Sequence, residues 1–255
     1  MLRYETRGPA AWITIDDPER RNPLSTAVMA ELLAAVRTGS ADPGVRAIVI
    51  TGAGDRAFSA GGDLSGGFVD DPLGAHDARG ALADLFREIR RSPKPVIARV
   101  NGHALAGGFG LAAACDIVIA VDRAGFGTPE IGVGLWPMMI GAILPRVMPT
   151  RAALELMLTG RRIDAAEAVR LGVVSRAVPA DQLDAAVTET IDGIVARSPS
   201  VIALGKAAFY AVEDAPFDAA LDHLQLGLTA VAMTEDAAEG VAAFIAKRPP
   251  EWTGR

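Results

Sequence analysis

Residues 95–108 read PVIARVNGHALAGG, an apolar, β-branched run followed directly by a glycine-rich segment. The run 95–100 is typical of a buried β-strand. Glycine at positions 107 and 108 lets a ligand approach the backbone closely and admits conformations that other residues avoid. The sequence therefore predicts a strand, then a loop with accessible backbone N–H groups, then a short helix from about Gly107.

Two further segments complete this pattern. The β-branched run 45–50 precedes AFSAGGD at 57–63, and the apolar run 117–121 precedes FGTPE at 126–130. The two glycine clusters could present two backbone N–H groups to one oxygen atom, and the third segment supplies a carboxylate. These are the groups needed to stabilise a carbonyl oxygen as negative charge develops on it and to move a proton nearby.

The bulk composition is that of a folded enzyme. The chain has 255 residues, enough for one large domain or a domain with an appendage, with 50% hydrophobic and 22% charged residues. Its net charge is −6, and lysine occurs only at positions 94, 206 and 247. We expect no nucleic-acid partner, because phosphate binding needs clustered lysine and arginine.

Cys115 is the only cysteine, so the sequence excludes a disulfide framework and a thiolate metal cluster. Its apolar neighbours predict a buried, unreactive thiol. No secretory signal is visible, and no apolar run is long enough to span a membrane. We therefore expect a cytoplasmic protein with no membrane partner. No histidine or carboxylate grouping has metal-ligand spacing, and no metal is expected.

The order of predicted elements indicates the α/β class, because strand, loop and helix alternate in the first part of the chain. Beyond about Arg151 helical periodicity dominates, and only 173–178 predicts a strand. The apolar stripes there either pack on their own core or form a subunit interface. The predicted elements of the first part are a hairpin over 4–15, a helix capped by Ser25 that runs to about Arg37 and is stopped by Gly39, strand 45–51, a helix near 77–91 and strands 95–100 and 117–121.

Six segments resemble those of the enoyl-CoA hydratase/isomerase (crotonase) family, in the right order over essentially the whole chain. The resemblance implies a crotonase-like spiral of ββα turns in residues 1–195. It also implies a C-terminal helical region in residues 196–255 that contacts CoA and builds a homotrimer or homohexamer. The implied ligand is an acyl-CoA thioester, with CoA as part of the substrate and no separate cofactor. The matching segments are 57–64, 100–108, 114–117, 126–132, 158–163 and 243–248.

Carried over by position, the resemblance assigns the two oxyanion donors to the backbone N–H groups of Gly62 and Gly107. It assigns the catalytic acid and base to Glu130. The chemistry is consistent with this, because fixed N–H donors stabilise an enolate-like oxygen more than the ground-state carbonyl. The apolar neighbours Phe126 and Leu135 predict that Glu130 is partly desolvated, which raises its pKa and suits proton transfer near neutrality.

The chain departs from the family pattern at Gly110, where the family's first catalytic glutamate falls. Positions 107 and 110 share a helix face, so a carboxylate at 110 would overlook the thioester; here the site is expected to contain one carboxylate. Residues 136–140 replace the family's glycine-rich stretch, and they either line the acyl pocket or pack in the core. The expected substrate-binding residues are Ala60, Asp63, Gly108, Gly110, Trp136 and Met138, with Arg20 and Lys247 directed to the CoA phosphates.

One carboxylate leaves two reactions open. In hydration of a 2-enoyl thioester, Glu130 would position water and deliver a proton to Cα. In 3,2-isomerisation, the same group would move a proton from C2 to C4. Hydration is the commoner activity and is placed first. A catalytically silent acyl-CoA binding or assembly subunit is the alternative of another class, because Gly110 removes half of the family's acid–base pair.

Two other readings are weaker. The segment GAGDRA at 52–57 follows a strand and imitates the dinucleotide-binding signature, but a true instance opens a long helix. Two further glycines, at 61 and 62, would break such a helix. A serine peptidase is conceivable on a related fold, but Ser59 and Ser65 lack the G-x-S-x-G context of a nucleophile elbow.

Overall fold

The computed structural model describes residues 1–63 and 76–255, in which strands and helices alternate before a helical C-terminal part. Leu64 and Ser65, considered above, lie outside the described residues. The strands are β1 (Leu2–Arg7), β2 (Ala10–Ile15), β3 (Pro23–Leu24), β4 (Ala47–Gly52), β5 (Ala57–Ser59), β6 (Gly61–Gly62), β7 (Val96–Val100), β8 (His103–Leu105), β9 (Ile117–Val121), β10 (Gly125–Gly127), β11 (Arg162–Asp164) and β12 (Arg176–Val178). The helices are α1 (Thr26–Ala41), α2 (His76–Arg91), α3 (Gly107–Ala114), α4 (Leu144–Val147), α5 (Thr150–Thr159), α6 (Ala165–Arg170), α7 (Leu183–Val195), α8 (Pro199–Ala211), α9 (Phe217–Ala232) and α10 (Glu235–Ala246).

The largest sheet has six strands in the order β1-β2-β4-β7-β9-β12. β1 and β2 form the predicted antiparallel hairpin, and the remaining neighbours pair in parallel. Every residue of β2 and β4 is buried, as expected for parallel strands covered on both faces. The mixed α/β class predicted from the sequence is confirmed.

A second sheet brings the chemically interesting loops together. Its order is β11-β10-β8-β5, and β8 pairs in parallel with both β5 and β10. The segments that follow these three strands are the two glycine clusters and the Pro-Glu segment. Because parallel strands end at the same sheet edge, all three segments emerge on one side. A further pair, β3 with β6, attaches Pro23–Leu24 to Gly61–Gly62.

Helix α1 begins where the sequence predicts and ends later. The Ser25 side chain accepts a hydrogen bond from the Val28 amide at 3.2 Å, which is an N-cap. The prediction that Gly39 stops the helix is wrong, because α1 continues to Ala41. A Cβ at Gly39 would lie 3.2 Å from Ile48 Cγ1. The glycine therefore permits close packing of the helix on β4.

The C-terminal half differs from expectation at two strands. Only Arg176–Val178 of the predicted 173–178 segment forms a strand, β12. Val173 and Val174 are buried, but their N–H groups return to the Ala168 carbonyl at 3.1 and 3.2 Å and close a turn. Strand β11, Arg162–Asp164, was not predicted; its three residues pair antiparallel with β10.

The helices α7 to α10 follow the last strand, and residues 247–255 come after them without forming a helix or strand. The proposed division between residues 195 and 196 falls in the turn between α7 and α8, and the separate roles of the two parts stay a prediction. Within the described ranges, none of the helices has the length and apolar character of a membrane span.

Candidate active site

Gly62 and Gly107, whose backbone N–H groups are the expected oxyanion donors, lie close together. A Cβ built on Gly107 would be 3.7 Å from the Gly62 amide nitrogen, and one built on Gly61 would be 3.0 Å from the Gly107 amide nitrogen. Gly61 adopts φ +94°, and its Cβ would overlap that of Ala106, which itself has φ +50°. Two positive-φ residues therefore immediately precede the two expected donors. Glycine adopts this conformation without steric cost, whereas the backbone of Ala106 is strained, and such strain is common at functional sites.

Gly107 is the first residue of α3, as the sequence predicts. The first N–H groups of a helix have no intrahelical acceptor, and the helix dipole adds positive potential there. Gly107 is buried, whereas Gly62 is exposed. Gly108 has a different environment, because a Cβ there would be 2.5 Å from the Ser59 carbonyl oxygen. The structure thus places Gly108 against β5, where it allows α3 to pack closely.

Glu130 follows β10 in a short 3-10 helix, Pro129–Val133. The Ala106 amide donates to the Gly127 carbonyl at 2.9 Å, which holds this segment beside the start of α3. Burial raises the pKa of Glu130, and a hydrogen bond from its own backbone opposes the shift. Among the described residues, the buried side-chain polar atoms without a hydrogen-bond partner are Glu130 Oε2 and Thr128 Oγ1. A buried carboxylate oxygen left open in this way is available to a ligand or a reacting proton.

The space beside Gly110 is filled by hydrocarbon. A Cβ at Gly110 would be 2.8 Å from Ile140 Cγ1 and 3.1 Å from Phe86 Cζ. Ile140 and Phe86 are 3% and 5% exposed, so both are held in the core. The absence of a carboxylate at 110 is therefore matched by packing that leaves no room for one.

The residues after the Pro-Glu segment divide between the two expected environments. Ile140 is buried, and Trp136 is partly buried against the core. Met138 is 73% exposed. Plain core packing accounts for Ile140 and part of Trp136, and the expected role of Trp136 and Met138 in the acyl pocket stays a prediction.

Arg20 and Asp63 form an ion pair, with Arg20 Nη2 at 2.6 Å from Asp63 Oδ2. The pair joins the segment expected to contact CoA to the residue after Gly62. The Ala60 amide donates to the Arg21 carbonyl at 2.9 Å, and the Asp63 amide donates to the Leu24 carbonyl at 3.3 Å. Residues 20–24 are therefore fastened along the first glycine cluster.

Lys247 lies at the far end of the chain, as the exposed C-cap of α10 in a left-handed conformation with φ +52°. Its expected contact with CoA phosphates stays a prediction. Cys115 is buried as expected, and burial raises the pKa of its thiol. The His103 Nδ1 accepts from the Gly125 amide at 2.9 Å, which gives this ring a structural bond.

The structure does not support the nucleotide-binding interpretation of residues 52–57. After Gly54, which has φ +75°, the chain enters strand β5 at Ala57. No helix begins within this motif, so a pyrophosphate would find no helix N-terminus there. Within residues 1–63 and 76–255, no group of three or more His, Cys, Asp or Glu side chains could hold a metal ion.

Three residues that pack beside the glycine segments were not identified from the sequence. Asn22 and Asn101 are buried polar side chains, at 0% and 4% exposure, beside the glycine segments. Phe86 was missed because its position in a helix does not indicate that its ring packs beside Gly110. A buried asparagine directly before a strand or a glycine loop is the signal that could have found the first two.

Comparisons with known proteins agree with this architecture. The family model described as enoyl-CoA hydratase/isomerase matches residues 5–255. A Thermus thermophilus protein named "Putative enoyl-CoA hydratase" is 38% identical over 257 residues, covering 99% of this chain and 100% of that protein. A carnitinyl-CoA dehydratase of Citrobacter koseri is 36% identical over 259 residues, covering 100% of this chain and 98% of its own. The crystal structure of an enoyl-CoA hydratase from Mycobacterium smegmatis superposes with a TM-score of 0.94 at 34% identity, covering 98% of each chain.

These likenesses identify the class as α/β proteins with the crotonase fold. Within that class, the chain belongs to the enoyl-CoA hydratase/isomerase family.

Proposed function

We propose that this protein is an acyl-CoA thioester enzyme that adds water to a 2-enoyl-CoA, with Glu130 as its single catalytic carboxylate. The observation that carries the proposal is the approach of the Gly62 and Gly107 segments, in which a Cβ on one residue would be 3.7 Å from the amide nitrogen of the other. Two amides held this close can serve one thioester oxygen. CoA would be part of the substrate, with no separate cofactor.

The reaction follows from these groups. As the oxygen of water bonds to C3, Glu130 takes a proton from that water and the electrons of the double bond move to the thioester oxygen. The N–H groups of Gly62 and Gly107 stabilise this enolate-like oxygen. Glu130 then returns the proton to C2 as the carbonyl re-forms. The raised pKa of Glu130 suits a group that must accept and release a proton in one cycle.

Hydration is preferred to 3,2-isomerisation because two of the relatives carry the names of a hydratase and a dehydratase. Isomerisation is the second candidate, and one observation favours it. Ile140 and Phe86 occupy the space beside Gly110, so no second polar group on that helix face helps to hold a water. A proton shift from C2 to C4 needs no water, and Glu130 alone could perform it.

We further propose that the enzyme acts in the cytoplasm as a homotrimer or homohexamer. Exposed apolar side chains on the C-terminal helices support an assembly, because contiguous apolar surface is usually covered. Leu221, Leu224 and Leu228, on one face of α9, are 51%, 40% and 70% exposed, and Phe244 on α10 is 84% exposed. Arg20 and Lys247 are the proposed cationic contacts of the CoA phosphates.

The decisive experiment assays 2-enoyl and 3-enoyl CoA thioesters in deuterated water, with the wild type and Glu130→Gln. Deuterium at C2 with a new hydroxyl at C3 indicates hydration, and migration of the double bond without oxygen gain indicates isomerisation. We expect Glu130→Gln to lower turnover by about 10²–10⁴-fold. Glu31→Gln is the matched control, because Glu31 is an exposed carboxylate on α1.

Two outcomes would contradict the proposal. Unchanged turnover in Glu130→Gln would remove Glu130 from the chemistry. A wild type that binds acyl-CoA but converts neither class of thioester would instead identify a silent binding subunit.

A further inference from the structure

Asn22 is a fully buried side chain in an unusual turn. It has φ +56°, directly after Arg21 with φ +64°. Its Nδ2 donates to the Ala53 carbonyl at 3.0 Å and to the Ala57 carbonyl at 2.8 Å, and its Oδ1 accepts from the Asp17 amide at 3.0 Å. Both N–H bonds of the amide are thus used, and the hydrogen bonds hold the left-handed turn in place.

Asn101 makes an equivalent set of bonds from another part of the chain. Its Nδ2 donates to the Gly54 carbonyl at 2.9 Å and to the Ala57 carbonyl at 3.1 Å. Its Oδ1 accepts from the Gly52 amide at 3.1 Å and from the Thr51 hydroxyl at 3.3 Å. Asn101 follows β7 and begins the segment that runs through β8 to Gly107.

The two side chains meet on one acceptor, the carbonyl of Ala57. Ala57 is the first residue of β5, which leads through Ala60 to Gly62. The segment after Asn22 forms β3 and pairs with Gly61–Gly62. The Ala57 carbonyl therefore joins three stretches of chain. One follows Asn22 and forms β3, which pairs with Gly61–Gly62. The second is β5, which leads to Gly62, and the third begins at Asn101 and leads to Gly107.

We propose that Asn22 and Asn101 are positioning residues that set the separation of the Gly62 and Gly107 N–H groups. The inference rests on the proposed function, since it concerns the same thioester oxygen. Neither side chain needs to touch the substrate. They act through the Ala57 carbonyl, which fixes how β5 enters the glycine cluster relative to the start of α3. Misplacing a donor by about 1 Å costs about 10²-fold in rate.

The test uses Asn22→Ser and Asn101→Ser in the full-length protein. We expect kcat to fall about 10–100-fold in each variant, with KM within about twofold, because oriented donors act mainly in the transition state. Each side chain bonds to three backbone groups, so if one of the two variants does not fold, the other carries the test. Asp236→Asn is the control: Asp236, on α10, is buried and accepts hydrogen bonds from the Thr253 and Gly254 amides, which follow that helix. It should destabilise the protein without changing kcat.

A spectroscopic readout separates this inference from the proposed function. The probe is the CoA thioester of 4-dimethylaminocinnamic acid, whose absorption moves to longer wavelength when its carbonyl oxygen is polarised. When Glu130→Gln protein is saturated with the probe, the absorption maximum of the probe should move to longer wavelength. The shift should be smaller when Asn22 or Asn101 is also replaced by serine.

If the probe binds without a shift even with both asparagines present, the oxyanion site and the proposed function fail together. A full shift retained in both serine variants would overturn only the positioning role. A fall in kcat that Asp236→Asn reproduces would likewise overturn it, because general destabilisation would then explain the effect.

Discussion

The parallel sheet and the C-terminal helices are stabilised in different ways. Every residue of β2 and β4 is buried, whereas neither α8 nor α9 contains a buried residue. Residues 1–195, the sheet region, bury their apolar side chains against one another. Residues 196–255, the helical region, are joined to the rest by polar anchors and leave many large apolar side chains exposed. The site residues expected to do chemistry lie in the sheet region.

Two polar anchors are among the contacts that join the helical region to itself and to the sheet region. Lys206 on α8 pairs with Asp116 at 2.7 Å, and the Tyr210 hydroxyl donates to the same carboxylate at 2.7 Å. Farther along, the buried Asp236 accepts hydrogen bonds from Ser198 and from the Thr253 amide. Although burial acts in the opposite direction, these bonds lower the pKa of Asp236 to about 2.

The largest effect is expected when the ion pair between Lys206 and Asp116 is removed. Lys206→Met should lower the free energy of unfolding by about 3–5 kcal/mol, because it leaves the Asp116 charge without its partner in a nearly closed site. The Lys206 and Asp116 side chains are only 9% and 14% exposed. Thermal unfolding is the measurement, with Lys247→Met as a control at an exposed lysine. A Tm equal to that of the control would show that the Lys206–Asp116 ion pair does not stabilise the packing of α8.

The next effect tests packing in the sheet region. Gly110→Glu should cost about 1–3 kcal/mol, because the new side chain overlaps Ile140 and Phe86. Adding Ile140→Ala should restore part of that loss by clearing the nearest contact. Gly193→Glu, on the exposed surface of α7 with nothing within 4 Å of its Cβ, is the matched control. If Gly110→Glu unfolds at the wild-type temperature, the space beside Gly110 is open.

A smaller effect concerns pH. Burial raises the pKa of Glu130 in the folded state. The free energy of unfolding of the wild type therefore falls as pH rises through that raised pKa, because the buried carboxyl must then ionise. Glu130→Gln should therefore unfold at the wild-type temperature near pH 4 and above it at pH 7. If the difference in unfolding temperature between the two proteins is the same at pH 4 and pH 7, ionisation of Glu130 does not change the free energy of unfolding.

The smallest effect on the fold is expected on the surface of the helical region. Phe244→Ser should leave the free energy of unfolding of the dilute chain within about 0.5 kcal/mol of the wild type, because the ring is 84% exposed. Sedimentation at higher concentration should nevertheless show weaker assembly. A clear loss of stability in the dilute protein would place this ring in the core of its own chain and weaken the contrast between the regions.

The sequence predicted the sheet region well because its signals are local. β-branched runs placed β7 and β9 to within a residue, and glycine with a helix-forming run placed the start of α3. The apolar neighbours of Glu130 correctly indicated its raised pKa. Gly39 was misread, because a glycine near a helix end can serve either as a stop or as a contact surface.

The remaining features depend on contacts between distant segments. Phe86 and Gly110 are apolar or small residues in ordinary helices, and only the crossing of α2, α3 and the segment after Trp136 places them together. Asn22 reaches Ala57 from 35 positions away. No periodicity encodes such a bond, although a buried amide beside a glycine cluster is a reason to look for one.

The tryptophans are distributed so that each lies in a different part of the molecule. Trp12 is in β2, Trp136 follows the Pro-Glu segment, and Trp252 donates to the Ala196 carbonyl at 2.9 Å. With phenylalanine replacing two of the three indoles at a time, intrinsic fluorescence would give a separate optical signal for the sheet, for the segment that follows Glu130 and for detachment of the chain end. One set of samples could then show in what order these parts come apart.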